Sequence, residues 1–144
     1  DNEQSLPDPF QNDLGGSENL PTLVLISLGQ APLLDPPAHL AFDLRSLPNP
    51  PKHLRDTHNG TSKRLQEWLG YDARFRARRD TIQGDIEAAM TRSPAAEPSG
   101  YELRVGINCQ MGRHRSVAMV EGFSKMSWPG WQVRVEHRDI HKKR

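Results

Sequence analysis

Apolar positions along the chain change period several times, and each change marks an element. Leu23-Val24-Leu25-Ile26 is short, continuous and partly β-branched, the pattern of a strand buried on both faces of a parallel sheet, and Gly29 ends it. The segment from Gln30 to Pro37 carries Pro32, Pro36 and Pro37, cannot form a regular helix and is predicted as a loop. A second short strand is predicted over His39 to Arg45, running into a rigid turn at Ser46 to Pro51. Thr61, after the turn signal Asn59-Gly60, is the predicted N-cap of a short helix that carries Leu65, Trp68 and Leu69 on one stripe and ends at Gly70. Phe75, Ile82, Ile86, Ala89 and Met90 then recur at helical spacing, while Arg74, Arg76, Arg78, Arg79 and Asp80 occupy a face that reads as solvated. After a Pro-rich loop from Ser93 to Gly100, Leu103, Val105 and Ile107 alternate as a third strand. Val117, Val120 and Phe123 place a helix over roughly 115–125, stopped by Pro129-Gly130, and Trp131, Val133 and Val135 alternate inward in a last strand.

Strands separated by helices predict an α/β fold: three layers, with a mainly parallel sheet of about four strands and flanking helices. The pattern leaves the strand order open. Residues 1–21 have no sustained period and hold Asp1, Glu3, Asp8, Asp13 and Glu18 without Lys or Arg, so they are predicted to be a disordered acidic leader. Residues 22–144 form the predicted folded domain with a basic C-terminal tail.

The third strand delivers a compact polar turn, Cys109-Gln110-Met111-Gly112-Arg113-His114-Arg115-Ser116, in which Cys109, Gly112, Arg115 and Ser116 follow the order C-x-x-G-x-x-R-S. Strand, loop and helix in this order let backbone N–H groups of the turn and of the first helical turn point at a common centre. Unpaired donors, the positive end of the helix dipole and a guanidinium fork together suit a phosphate. Cys109 is expected at the floor of that site, where the same field lowers its thiol pKa. Asp43 and Arg45, two apart near the C-terminal end of a strand, project to one face at the sheet edge where ligands bind in open α/β folds. Asp43 is expected to accept hydrogen bonds from a ligand and Arg45 to add positive charge.

Composition adds three constraints. With 144 residues, 35% apolar and 26% charged, the chain suffices for one domain with a core. Its net charge of +1 hides an asymmetry: from Met111 onward eight Lys and Arg face only three acidic residues, an end that favours polyanions, RNA foremost. The single cysteine cannot form an internal disulfide, and no apolar run approaches the length of a membrane span, so a cytoplasmic protein without membrane contact is expected. Cys109-x4-His114 and His137-x3-His141 match no standard zinc spacing, and neither a metal nor another cofactor is expected. No G-x-x-x-x-G-K-[ST] nucleotide loop occurs.

Three strings resemble the C-terminal domain of the bacterial RNase adapter family RapZ. Cys109 to Val117 is similar to the family's C-T-G-G-[KQ]-H-R-S-V. Phe42-Asp43-Leu44-Arg45-Ser46-Leu47-Pro48-Asn49-Pro50 follows F-D-[VL]-R-[FS]-L-P-N-P, with Ile26-Ser27-Leu28-Gly29 resembling an upstream [FE]-S-F-G. Val135 to Arg144 resembles V-x-x-R-H-R-[TD]-x-x-K-R-K. The resemblance covers roughly residues 24–144 and implies a non-catalytic module that binds an aminosugar phosphate, glucosamine-6-phosphate. In some members it also implies binding of small RNAs and their presentation to an RNase. It puts Asp43, Arg45, Asn49, Cys109, Gly112, His114, Arg115 and Ser116 at the phosphate pocket, which the loop itself extends to Gln110, Met111 and Arg113, and Lys142, Lys143 and Arg144 at an RNA-binding end, to which His137 and Arg138 are added by their charge; a homo-oligomer is left open. Gln110-Met111 replaces the family's Thr-Gly, Pro51 stands where an aromatic or histidine is common, and His53 is placed to reach the same space. The family's P-loop ATPase half is absent from this chain. The loop also resembles that of cysteine-dependent phosphatases, an alternative in which Cys109 is the nucleophile, Arg115 holds the phosphoryl oxygens and Asp43 is the only candidate acid.

Overall fold

The computed structural model describes residues 20–92 and 100–142. The leader expected at 1–21 therefore lies outside the described residues except for Leu20 and Pro21, as do Lys143 and Arg144. The elements run β1 (Thr22–Leu28), β2 (Leu40–Asp43), α1 (Lys52–Arg55), α2 (Lys63–Gly70), α3 (Ala73–Arg92), β3 (Glu102–Asn108), α4 (Arg115–Ser124) and β4 (Gln132–His137). The strands form one four-stranded sheet in the order β2-β3-β1-β4, parallel at every pairing. Helices flank it, so the fold is α/β, as the alternation of patterns predicts.

β1 sits between β3 and β4, which explains its unbroken apolar run: neither face meets solvent. Leu23 and Leu25 join Leu103, Val105 and Ile107 in the main core, where Leu65, Leu69, Phe75, Ile82, Ile86, Val120 and Phe123 of the helices pack over them. Val24, Ile26 and Leu28 point the other way into a second cluster, closed by Leu34 from the proline-rich segment. Asn59 accepts both the backbone N–H and the hydroxyl of Thr61, at 2.8 and 2.6 Å, so Thr61 is held in the turn. The cap of α2 is instead Ser62, whose Oγ accepts from Leu65 N at 3.4 Å. The arginines of α3 find local partners: Arg74 pairs with Asp72, Arg76 donates to the Gly70 carbonyl, and Arg78 lies 5.7 Å over the Phe42 ring. Trp131, just before edge strand β4, and Val135 within it pack against the core, but Val133 is 37% exposed on a strand with a partner on one side only.

Gly60 shows how tightly α4 is seated. It donates its N–H to the Arg113 carbonyl at 2.8 Å, and a Cβ there would lie 2.4 Å from Ala118 N and 2.5 Å from the His114 carbonyl oxygen. Gly84, within α3, has open space around it. Gly60→Ala is therefore expected to destabilise the fold by about 2–3 kcal/mol through overpacking. Gly84→Ala is expected to stabilise it by about 0.5–1 kcal/mol through reduced backbone entropy in the unfolded chain. Denaturant unfolding of the two variants checks the pair; shifts of the same sign would contradict the packing described for Gly60.

Candidate functional site

β3 ends at Asn108 and hands Cys109 to the C-terminal edge of the sheet, where Cys109 N donates to the Leu28 carbonyl at 3.1 Å. The chain then folds back at Gly112, whose φ of +78° is left-handed and whose missing Cβ would sit 2.4 Å from Gly29 N. Gly29 in turn donates to Asp139 Oδ2 at 2.8 Å, so the residue two past β4 pins the two loops together. Arg138 braces that carboxylate at 2.9 Å, and burial, which pushes its pKa up, is outweighed by this pair and by the Gly29 N–H.

α4 opens at Arg115 with His114 as N-cap residue, and the His114 side chain caps none of its first donors. They turn inward onto the cysteine sulfur: Ser116 N lies 3.4 Å and Ser116 Oγ 3.2 Å from Cys109 Sγ. Burial pushes the Cys109 thiol up, but hydrogen bonds from the Ser116 hydroxyl and from the backbone N–H groups of Ser116, Gly112 and His114 outweigh it, leaving the thiol below its ordinary range. Helix start and turn thus form a nest of donors around one buried point.

Arg115 is only 6% exposed, and its Nη1 donates to the carbonyls of Leu44, Arg45 and Leu47 at 3.5, 3.1 and 2.9 Å. Its Nε is buried without an acceptor. A cavity of about 480 Å³ opens in front of the nest, lined by Cys109, Gln110, Met111, His114 and Arg115 on the loop side and by Asn49 and Arg55 opposite. Six of the expected pocket residues are thereby brought together as lining, and Gly112 and Ser116 stand behind them as donors. Arg55 is an addition that motif reading missed; the one available signal was a basic residue on the short helix after Pro50-Pro51. His53, on the same helix, is exposed and does not line the cavity.

Asp43 and Arg45 stand apart from this lining. They pair with each other, Arg45 Nη2 to Asp43 Oδ2 at 2.8 Å with Arg45 Nε bridging both carboxylate oxygens, while Asn108 Nδ2 donates to Asp43 at 3.2 Å and Arg45 Nη1 donates to Gln30. The Arg45 hydrogen bond holds the Asp43 carboxyl below its usual range against a smaller opposing effect of burial. Arg113 faces a neighbouring cavity. At the other end, His137 is tied between Ser27 Oγ and Glu121 Oε2, both at 2.7 Å, and Arg138 is engaged with Asp139, so of the described RNA-contact candidates only Lys142 is exposed. Among the described residues no cluster of His, Cys, Asp or Glu could hold a metal ion, and no helix is long and apolar enough to cross a membrane.

A parallel α/β sheet with a donor-lined loop between strand and helix at its C-terminal edge defines the class of domain. Within that class, the family model for the RapZ C-terminal domain matches residues 21–141, and the chain belongs to that family. Its relatives include a nucleotide-binding protein of Jannaschia sp. (strain CCS1), 37% identical over 109 residues, covering 73% of this chain and 33% of the relative. A nucleotide-binding protein of Oceanobacillus iheyensis is 32% identical over 108 residues, covering 74% of this chain and 36% of the relative. One from Synechococcus sp. (strain JA-2-3B'a(2-13)) is 32% identical over 152 residues, covering 96% of this chain and 46% of the relative. The chain thus spans less than half the length of the curated relatives it matches.

His114 supplies a pH test. Burial pushes its pKa down, only partly opposed by the Arg55 carbonyl at 3.2 Å from Nε2, and the nearby Arg113 and Arg55 charges push it further down. A folded state that resists protonation binds fewer protons than the unfolded chain below the ordinary histidine value of 6.5. The stabilisation is therefore complete above that value and is lost as pH falls toward the lower folded value. The thermal midpoint is expected to drop between about pH 7 and pH 5, above the carboxylate range. The slope should be shallower in His114→Gln; equal slopes would contradict this account.

Proposed function

We propose that this domain is a binding module for a phosphorylated small molecule seated on the Cys109–Ser116 loop. The observation that carries the reading is the convergence of the Gly112, His114 and Ser116 N–H groups on one buried point at the base of a cavity walled by Arg55 and Arg115. Oriented donors at a helix start, with guanidinium charge beside them, favour a dianion over neutral or cationic ligands. An aminosugar phosphate such as glucosamine-6-phosphate is the ligand class that the family resemblance favours, with Asn49 available to a sugar hydroxyl. Asp43 and Arg45, which hold each other at the rim, would reach such a ligand only by exchanging partners. The name nucleotide-binding protein attaches to relatives more than twice as long, and the proposal concerns the shared segment alone.

Cysteine-dependent phosphatase chemistry is the second reading, favoured by the lowered thiol. It would require Arg115 to hold the transferred phosphoryl group, although its Nη1 already serves three carbonyls. It would also require Asp43 to donate a proton, although Arg45 keeps that carboxyl ionised. Binding without turnover is therefore the expected behaviour.

Calorimetry of the intact chain with inorganic phosphate, sulfate and hexosamine phosphates tests the proposal. Arg55→Ala is expected to weaken phosphate by about tenfold, the scale of one charge-assisted hydrogen bond. Cys109→Ser, which removes thiolate charge from the floor, should bind at least as well as the parent at alkaline pH. Absence of any phosphate or sugar-phosphate binding would overturn the module reading, and Cys109-dependent hydrolysis of an aryl phosphate would replace it with the phosphatase.

The proposal extends to RNA through Arg138, Lys142, Lys143 and Arg144, whose contacts would be electrostatic and poor in sequence preference, since the segment 138–144 contains no Phe, Tyr or Trp for base stacking. Nearby Trp128 is buried with its indole N–H on the Phe123 carbonyl at 2.8 Å. RNA affinity should fall steeply with salt, and deletion of residues 142–144 should flatten that slope. An unchanged slope would remove RNA from the proposal.

A further inference from the structure

Two cavities meet at His114. One is the Cys109 cavity; the other, about 220 Å³, is bounded by Arg113, His58 and Asp56, and both are lined by Arg55 and His114. The two hollows therefore share a wall, and a ligand crossing that wall would pass the Arg55 guanidinium.

The two guanidiniums at the wall have no carboxylate partner among the described residues. The Arg113 guanidinium makes no hydrogen bond or ion pair among the described residues, and its Nε is shut away from solvent without an acceptor. Arg55 uses its Nε on the Pro50 carbonyl at 2.7 Å and has no acidic partner among the described residues. Asp56 is the one carboxylate among the residues lining the smaller cavity, and Lys52 holds it at 2.5 Å. Both guanidiniums lie close enough to His114 to lower its affinity for a proton. Removing a guanidinium nitrogen from water without an acceptor is costly, and guanidiniums that no described carboxylate pairs, on both sides of one wall, form a complement to negative charge.

We propose that the site takes a ligand with two neighbouring phosphate groups, one on the Cys109 loop and the second on Arg113 and His58, with Arg55 between them. This rests on the Cys109 loop being the primary phosphate seat. The chemistry is that of an oligophosphate or of consecutive phosphates along a nucleic-acid strand. His58, whose Nδ1 is 2.9 Å from Ser62 Oγ, makes no hydrogen bond through its other ring nitrogen among the described residues, which leaves that nitrogen for an incoming oxygen. Arg113 gives the second group a fixed charge.

Calorimetry on the full chain at constant ionic strength, with inorganic phosphate, tripolyphosphate and a 5′-phosphorylated dinucleotide, tests the second seat. At least one of the longer probes is expected to bind about tenfold tighter than phosphate, and Arg113→Gln should cut that ratio to about a third or less. Arg76→Gln, a charge loss of the same kind on α3, should leave the ratio as it is, and unfolding midpoints of both variants check that they fold. A gain confined to tripolyphosphate assigns the site to small oligophosphates, and a gain confined to the dinucleotide assigns it to a strand end. Equal affinity for all three probes, or a gain that Arg113→Gln leaves intact, overturns the second seat alone. Failure of phosphate itself to bind overturns the primary seat beneath it.

Discussion

The buried guanidinium of Arg115 is the constraint on which the site depends. It leaves the first turn of α4 and donates to three carbonyls of the segment after β2, some seventy residues earlier in the chain. A charge this deeply buried is made tolerable by backbone carbonyls that accept hydrogen bonds from its Nη1, and a carbonyl so used cannot drift without stranding the charge. The link fixes the turn that carries Asn49 opposite the loop that carries Cys109. Two sequence strings that look independent are the two halves of one clamp. Among the described residues no carboxylate pairs with Arg115, so the positive charge it introduces stays available to the cavity.

The second constraint is the position of β1. Because it is central and every pairing is parallel, the C-terminal ends of all four strands open on the same edge. Cys109, Asp43, Gly29 and Asp139 follow their strands onto that edge from four separate parts of the sequence. Topology gathers them before any side chain contributes specificity.

Much of this was legible in the chain because the relevant signals are local. The apolar run of β1, the alternation of β3 and the C-x-x-G-x-x-R-S spacing each report on a few adjacent residues, and β1, β3 and α4 fall within a residue or two of where those patterns put them, whereas α1 has no pattern that announces it. What was illegible is relational. Asp43 and Arg45 do share a face, but spacing does not tell whether two opposite charges wait for a ligand or for each other. Thr61 has the chemistry of a cap, yet Asn59 reaches its N–H first and the role passes to Ser62. Arg55 carries no motif and enters the cavity only because α1 is folded against it. His137 looks like part of a basic tail until the buried Ser27 hydroxyl and Glu121 claim both ring nitrogens. Strand order depends on contacts between distant segments, about which periodicity is silent.

Asp139 carries a consequence for how the molecule can be altered. Its carboxylate accepts the Gly29 N–H and its Cβ lies beside Gly112, so the backbone just past the last strand works as a latch on the loop of the Cys109 cavity. A reporter or fused domain joined beyond Lys142 leaves that latch shut. One spliced between His137 and Asp139 would spring it, slackening the donor nest while every strand and helix stayed in place.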